Sequence, residues 1–132
     1  MRDVEIVRDQ FAAVNERDFP RAMDHYAEDV ELVVDPGAFL ESGTFRGRDA
    51  VGDWFGNWFA TFEPSYRFDI DEAREIGEVV LLIASHRGRG RTSGVEVARQ
   101  TGYHYRLRDG KITRVEIFAS PAKALEAAER RP

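Results

Sequence analysis

The segment from residue 78 to residue 119 constrains the fold of this chain more than any other. It contains three long runs that are apolar or alternate between apolar and polar residues. Two turn signals separate the runs: Arg91-Thr92-Ser93-Gly94 and Arg108-Asp109-Gly110-Lys111. Each run spans about 9–12 residues, whereas an ordinary strand has about 5–6. We expect three consecutive antiparallel strands that are long enough to curve around the elements packed on them.

The N-terminal half predicts three helices for this sheet to enclose. The first carries an apolar stripe at helical spacing, made of Val4, Val7, Phe11 and Val14. Asp18 is typical of a helix N-cap, and Pro20 of the first turn that follows it. The third helix has an almost wholly aromatic stripe, made of Val51, Trp54, Phe55, Trp58, Phe59 and Phe62. Gly52 and Gly56 lie beside it, where we expect close backbone packing to offset their low helix propensity.

Two shorter strands, 29–34 and 65–70, and a helix that begins at Pro121 complete the pattern. We therefore predict an α+β fold with a single domain over residues 1–132. Its curved antiparallel sheet forms a cone, three helices of the N-terminal half cover the mouth, and a short C-terminal helix follows. Such a cone encloses a cavity, so the side chains that line it determine the function.

The composition narrows the possible partners. The 132 residues carry a formal net charge of −5, which argues against nucleic acid or an anionic membrane as a general partner. There is no cysteine, and the three histidines have no metal-ligand spacing, so we expect no metal and no cofactor. No apolar run approaches the roughly 18–20 residues of a membrane span. We expect a cytoplasmic protein.

The last hairpin decides which side chains share the cavity. A two-residue loop, Asp109-Gly110, would place Tyr103 opposite Glu116. A three-residue loop from Arg108 to Gly110 would instead place Tyr103 opposite Val115. We prefer the second, because it separates an apolar face from a polar one. The apolar face then contains Tyr103, Tyr105, Val115 and Ile117.

A further set of apolar residues is expected to point away from the cavity. It consists of Val80, Leu82, Ala84 and Phe118. An exposed apolar patch of this kind usually marks a contact surface between proteins. We therefore expect a homodimer that forms through the outer face of the sheet.

Asp35 and Tyr103 are the candidate catalytic residues. Asp35 ends the first strand, where a carboxylate at the mouth of an apolar cone would have a raised pKa and could move protons. The alternative is that Asp35, which precedes Pro36 and Gly37, is a turn residue that accepts backbone N–H groups. Tyr103 could donate a hydrogen bond to a ligand oxygen or simply pack as a strand residue.

The remaining candidates are expected to bind the ligand. The row Arg87, Arg89 and Arg91 could clamp a carboxylate or phosphate, although a solvated strand end with glycine bulges explains it as well. The predicted ligand pocket consists of Tyr26, Trp54, Phe55, Trp58, Ser85, Arg87, Tyr105, Val115 and Ile117.

The order of these segments resembles the nuclear transport factor 2-like superfamily and, within it, a stand-alone SnoaL-like protein. The resemblance runs from FAAVNERDFPRAMDHYAEDVEL through FRGRDAV to YRLRDGKITRVEIF. It implies a cone-shaped curved sheet with helices at its mouth, commonly in a dimer. Members include isomerases, polyketide cyclases, epoxide hydrolases, dehydratases and non-catalytic binding modules, so the fold alone does not give the function.

The resemblance also suggests roles for individual residues. Asp35-Pro36 resembles the strand-end Asp-Pro of ketosteroid isomerases, in which the Asp is the general base. Gln10 and Tyr103 stand where those enzymes have a Tyr and a protonated Asp as oxyanion donors, so that pair is not reproduced. The Arg-x-Asp of limonene-epoxide-hydrolase-like members would fall near Ile83 and Ser85 and is absent.

Two hypotheses follow for the function. In the first, the protein is an isomerase- or cyclase-type enzyme that uses Asp35 as proton acceptor and Tyr103 as hydrogen-bond donor on an apolar substrate. In the second, it is a ligand-binding or dimeric interaction module without chemistry. A carboxylate of Asp35 that points into the cavity would favour the first, and one held by backbone N–H groups would favour the second.

Overall fold

A computed structural model describes residues 2–39 and 41–130 of the chain. Four helices and six strands follow one another in that part. In chain order they are α1 (Asp3–Asn15), α2 (Phe19–Asp24), β1 (Tyr26–Val34), β2 (Gly43–Arg46), α3 (Arg48–Ala60), β3 (Arg67–Ile76), β4 (Val79–Arg89), β5 (Glu96–Arg108), β6 (Lys111–Phe118) and α4 (Pro121–Arg130).

The strands form one curved sheet in the order β2-β1-β6-β5-β4-β3. Neighbouring strands are antiparallel except β1 and β6, which are parallel, so the sheet is mixed rather than wholly antiparallel. The predicted cone is confirmed, with α1, α2 and α3 against the inner face and α4 on the outer face. The three long strands predicted for residues 78–119 are β4, β5 and β6.

The helices begin where the sequence indicates. The side chain of Asp18 accepts a hydrogen bond from the backbone N–H of Arg21 at 3.3 Å, and Pro20 lies in the first turn of α2. The apolar stripe of α1 is buried along its length. One strand was not predicted, because β2 is a short, largely exposed edge strand with only Phe45 half-buried and no alternating pattern.

The last hairpin differs from the prediction in its turn. Arg108 pairs with Lys111, so the loop has two residues, and the choice of a three-residue loop is wrong. Asp109 and Gly110 both have positive φ, 52° and 80°, as a two-residue turn of this hairpin type requires. The type of turn therefore follows the Asp-Gly pair, which is the strongest hairpin signal in the chain.

A bulge nevertheless restores the predicted apolar face. Leu107 pairs with Ile112 whereas Arg106 pairs with Arg114, so Thr113 is an extra residue in β6. Beyond it Tyr105 lies opposite Val115, and the register shifts by one residue relative to an unbulged hairpin. The inner face thus includes Tyr103, Tyr105, Val115 and Ile117, all of them buried.

The predicted outward face of β4 is wrong. Leu82 pairs with Tyr103 and Val80 with Tyr105, and residues directly opposite each other share a face of the sheet. Val80, Leu82 and Ala84 therefore point inward and belong to the main core. Phe118 does lie on the outer face, but α4 covers it. The outer cluster is formed by Leu81, Ile83, Phe118 and Ala124.

Gly102 is what allows α4 to lie so close to the sheet. A Cβ at residue 102 would lie 2.4 Å from the Cβ of Ala124 and 3.3 Å from the carbonyl oxygen of Ser120. Neither contact can relax by rotating a flexible side chain. Any residue larger than glycine must therefore displace α4.

We expect Gly102→Ala to lower the free energy of unfolding by about 1–3 kcal/mol, the usual cost of overpacking. Gly56→Ala is the matched control, because a Cβ at Gly56 would meet nothing within 4 Å. That variant should raise stability by about 0.5–1 kcal/mol through helix propensity. Urea unfolding measures both, and equal effects of the two substitutions would contradict this account of α4 packing.

Candidate functional site

The inner cavity of the cone is almost completely filled by side chains. It lies between α1, α3 and the inner face of the sheet, and its remaining volume is about 10 Å³, the space of one water. Six of the predicted site residues line it: Trp54, Phe55, Trp58, Tyr103, Tyr105 and Ile117. Val115 is buried in the same core without lining the cavity. The interior of the cone is thus packed with mainly aromatic side chains and is not an open cavity.

The larger apolar space is a cleft between α1, α2 and α3. It has a volume of about 260 Å³, and its wall includes Tyr26, another predicted pocket residue. Gln10, Val14 and Phe55 line both the cleft and the inner cavity, so they form the partition between the two spaces.

Gly52 and Gly56 give the cleft its width. Both line it, and a Cβ at Gly56 would meet nothing within 4 Å. A Cβ at Gly52 would make an ordinary contact of 3.5 Å with the side chain of Met23. The prediction that these glycines permit close backbone packing is therefore wrong. They leave open space beside α3 instead.

Gln10 places a polar group at the partition. Its side chain is 2% exposed, and its Nε2 donates a hydrogen bond to the hydroxyl of Tyr26 at 2.9 Å. Burial raises the pKa of Tyr26, so this hydroxyl remains protonated. The Gln10 Oε1 has no hydrogen-bond partner within residues 2–39 and 41–130. Such an unmatched buried acceptor is rare in proteins and indicates a place where a ligand or water binds.

Tyr103 supplies a second polar group at the inner cavity. Its hydroxyl accepts a hydrogen bond from Thr101 Oγ1 at 2.8 Å, and the side chain is buried. Burial raises the pKa of Tyr103, so the hydroxyl keeps its proton at neutral pH. The group is thus suited to donate a hydrogen bond and unsuited to act as a base.

Asp35 lies directly after β1 and is half-buried. Its backbone N–H donates to the carbonyl of Ile117 at 3.0 Å, and its carbonyl accepts from the N–H of Ala38. The preceding residue, Val34, pairs with Ile117 on the inner face. In the described part of the chain, Asp35 is not among the residues that line the cavity or the cleft.

Ser85 and Arg87 lie on the outer face, so their predicted place in the pocket is wrong. The register of β4 against β5 puts them on the same side as Leu81 and Ile83. Ser85 Oγ donates to Asp71 Oδ2 at 2.5 Å. Arg87 is exposed in an open surface hollow that Arg67 and Arg89 also line. The sequence-based prediction put both residues on the wrong face because it put the whole of β4 on the wrong face.

His86 is the polar residue of the cone that the sequence did not reveal. It is fully buried on the inner side of β4, and its Nδ1 lies 2.7 Å from the hydroxyl of Tyr66. Trp58 Nε1 donates to the same hydroxyl at 2.9 Å. The His86 Nε2 has no partner among the described residues. Its inward side follows only from the register of β4 against β5, in which His86 continues the row of Leu82 and Ala84.

Among residues 2–39 and 41–130, no group of three or more His, Asp or Glu side chains is placed to hold a metal ion. None of the helices found in those residues has the length and apolarity needed to cross a bilayer.

We expect stability to fall as the pH falls from about 6.5 towards 4. Burial, with a smaller effect of the Arg99 charge, lowers the pKa of His86 from 6.5 to about 4. Between these values the unfolded chain binds a proton that the folded chain does not, so acid favours unfolding by about 3 kcal/mol at most. Urea unfolding at several pH values measures the slope. His86→Phe should flatten it, and an unchanged slope in that variant would contradict the assignment.

The chain has recognisable relatives over nearly its whole length. Residues 7–115 match a family model described as a SnoaL-like domain. An uncharacterised protein of Mycobacterium tuberculosis is 30% identical over 123 residues, which cover 91% of each chain. The family match thus includes most of α1, all of α2 and α3, and most of the sheet.

Solved structures share the fold. A nuclear transport factor 2-like protein from Burkholderia thailandensis is 26% identical with a TM-score of 0.81, covering 95% of this chain and 98% of that one. A protein with a ketosteroid isomerase-like fold from Catenulispora acidiphila is 22% identical with a TM-score of 0.75, covering 95% and 92%. The second similarity bears on the fold alone.

Proposed function

Since the chain belongs to the SnoaL-like domain family, we propose that it binds one uncharged, largely apolar small molecule between its helices and the inner face of its sheet. The unmatched Oε1 of Gln10 carries this proposal, because it lies on the partition between the cleft and the inner cavity. Small-molecule sites typically combine an apolar wall with a few polar groups that fix the orientation of the ligand.

The lining of the two spaces supports an uncharged ligand. Among the described residues that line the cleft and the cavity, none carries a formal charge. An ion brought there would lose its hydration without gaining a counter-charge, which is costly in an apolar environment. A neutral molecule with a hydroxyl group could instead donate to Gln10 Oε1.

The size of the cleft supports a molecule of one or two rings. Its volume of about 260 Å³ exceeds the roughly 150 Å³ that suffice for benzene in an engineered cavity. Phe55 is only half-buried at the partition, so a change in its side-chain conformation would join the cleft to the inner cavity. The aromatic walls then offer ring contacts to a flat ligand.

We expect 2-naphthol to bind and 2-naphthalenesulfonate not to bind. An NMR titration that follows the indole N–H signals of Trp54 and Trp58 measures both, since both rings line the inner cavity. Gly56→Leu should weaken 2-naphthol binding about tenfold or more, a loss of about 1.4 kcal/mol, by filling the cleft. The substitution favours the helix, so lost binding would not reflect unfolding.

Asn57→Leu is the matched control, because it adds an apolar side chain at an exposed position of the same helix. It should leave the 2-naphthol affinity unchanged. Gln10→Leu should weaken 2-naphthol without improving the sulfonate. Equal affinities of wild type, Gly56→Leu and Gln10→Leu would refute the site, and equal binding of the two probes would refute the ligand class.

Isomerase- or cyclase-type acid–base chemistry is the second candidate function. The observation in its favour is Tyr103, a buried, protonated hydroxyl on the cavity wall that is suited to stabilise a developing oxyanion. Asp35 would be the base, although its half-buried position after β1 requires the loop that follows to rearrange. Catalysis is thus a proposal about these two residues.

With a substrate in hand, Asp35→Asn should lower kcat by about 10²–10⁴-fold, the usual cost of losing a general base. Asp29→Asn serves as the control, because this carboxylate is exposed on the same strand and pairs with Arg108 at 3.5 Å. Unchanged turnover in a folded Asp35→Asn protein would remove Asp35 from the mechanism and leave the binding function.

The remaining parts of the proposal concern the protein as a whole. We propose a single cytoplasmic domain that acts without a cofactor and assembles as a homodimer. The contact surface first expected for the dimer is not available, since Val80, Leu82, Ala84 and Phe118 are all buried within one chain. A dimer would therefore use other residues of the surface.

A further inference from the structure

A hydrogen-bond chain inside the cone ends in an unmatched N–H group. Trp58 Nε1 donates to the hydroxyl of Tyr66 at 2.9 Å, and His86 Nδ1, which lies 2.7 Å from that hydroxyl, is the acceptor we assign to its proton. Burial raises the pKa of Tyr66, so that proton is retained. With Nδ1 accepting, the neutral imidazole of His86 carries its own proton on Nε2.

This N–H group is buried without a partner. His86 is fully buried, and its Nε2 meets no acceptor in the described ranges, 2–39 and 41–130. Buried donors without acceptors are uncommon, because they lose water and gain nothing in return. The Nε2–H group of His86 can therefore be satisfied by a hydrogen-bond acceptor that does not belong to the chain.

The surroundings of His86 show where that acceptor would enter. Its ring contacts the rings of Phe39 at 5.7 Å, Phe68 at 5.5 Å and Trp58 at 6.5 Å between centroids. These three aromatic residues all line the inner cavity. His86 thus lies directly behind the cavity wall.

Phe39 is the residue of the cavity wall that lies in the connection between β1 and β2. Residues 35–39 are the first part of the connection from β1 to β2, and Phe39 packs edge-on against Trp58 with 4.3 Å between the ring centroids. The exposed side chain of Arg99 holds this segment by donating to the carbonyls of Gly37 and Ala119. Phe39 therefore fills a space that an aromatic ring of a ligand would fit.

We propose that the Nε2–H group of His86 donates a hydrogen bond to the carbonyl oxygen of a flat, uncharged aromatic ligand whose ring replaces that of Phe39 against Trp58. This proposal rests on the proposed binding function and refines its ligand class. The ligand class is thus narrowed to aromatic carbonyl compounds.

Two nearly isosteric probes test the proposal, 2-acetylnaphthalene and 2-ethylnaphthalene. Only the ketone can accept from His86, so wild type should bind it about threefold to tenfold more tightly than the hydrocarbon, as expected for one net hydrogen bond. In His86→Phe this preference should be lost or reversed, because the ketone carbonyl then gives up its hydration without gaining a partner. Phe39→Ala should bind both probes more tightly, because the competing ring is gone. NMR titrations of the tryptophan indole signals give all three results.

A measurement on the wild-type protein guards against misfolding of the variants. In ¹⁵N-histidine spectra, His86 should show the Nε2–H form, and the ketone should shift its Nε2 signal more than the hydrocarbon does. A ketone preference that persists in folded His86→Phe, or equal affinities in wild type, would overturn this inference alone. Failure of both probes to bind wild type would overturn the proposed function as well.

Discussion

The bulge at Thr113 is the constraint on which the interior of this protein depends. The two-residue turn Asp109-Gly110 by itself would set Tyr103 opposite Glu116, and every side chain beyond the turn would face the wrong way. One extra residue in β6 restores the alternation, so that Tyr105 lies opposite Val115. Tyr103 and Tyr105 thereby share the inner face of the sheet with Val115 and Ile117.

The cone is full, and the larger apolar space lies beside it. Large aromatic side chains from α3 and the sheet meet in the centre and leave room for about one water, about 10 Å³. The glycines of α3 open the cleft between the three N-terminal helices instead. In the binding mode proposed above, a ligand displaces a ring, either Phe55 from the cleft or Phe39 from the wall of the cavity, before it reaches the polar groups of the interior. Those groups, Gln10 and His86, form hydrogen bonds without carrying a charge.

The sequence predicted those elements whose apolar residues recur with a regular period. The stripes of α1 and α3, the cap of α2 and the long strands were correct, and the SnoaL-like resemblance is confirmed. The faces of β4 were wrong for a physical reason. Residues 79–84 are apolar without interruption, because the core buries one side and α4 the other, so alternation carries no information there. β2 escaped detection because an exposed edge strand needs no apolar pattern.

The candidate site was predicted less completely, because polar core residues depend on partners that are distant in sequence. Gln10 and Tyr26 are 16 positions apart, and Tyr66 and His86 are 20 apart. Gln10 could have been recognised, because it lies at the helical spacing of the α1 stripe, three residues after Val7. His86 could not, because the inner row of β4 is evident only from its register with β5. The Asp-Pro pair at residues 35 and 36 was the more familiar signal, yet it lies in the connection after β1, and Asp35 is not among the residues that line the cavity.

The close contact of Gly102 with Ala124 has a consequence for assembly. Because α4 lies directly on the outer sheet, the apolar surface formed by Leu81, Ile83 and Phe118 is already occupied from within the same chain. A second copy that sought this surface would have to compete with a tethered helix at high effective concentration. Docking of α4 and association through that face are mutually exclusive states, and the missing side chain at position 102 favours the first.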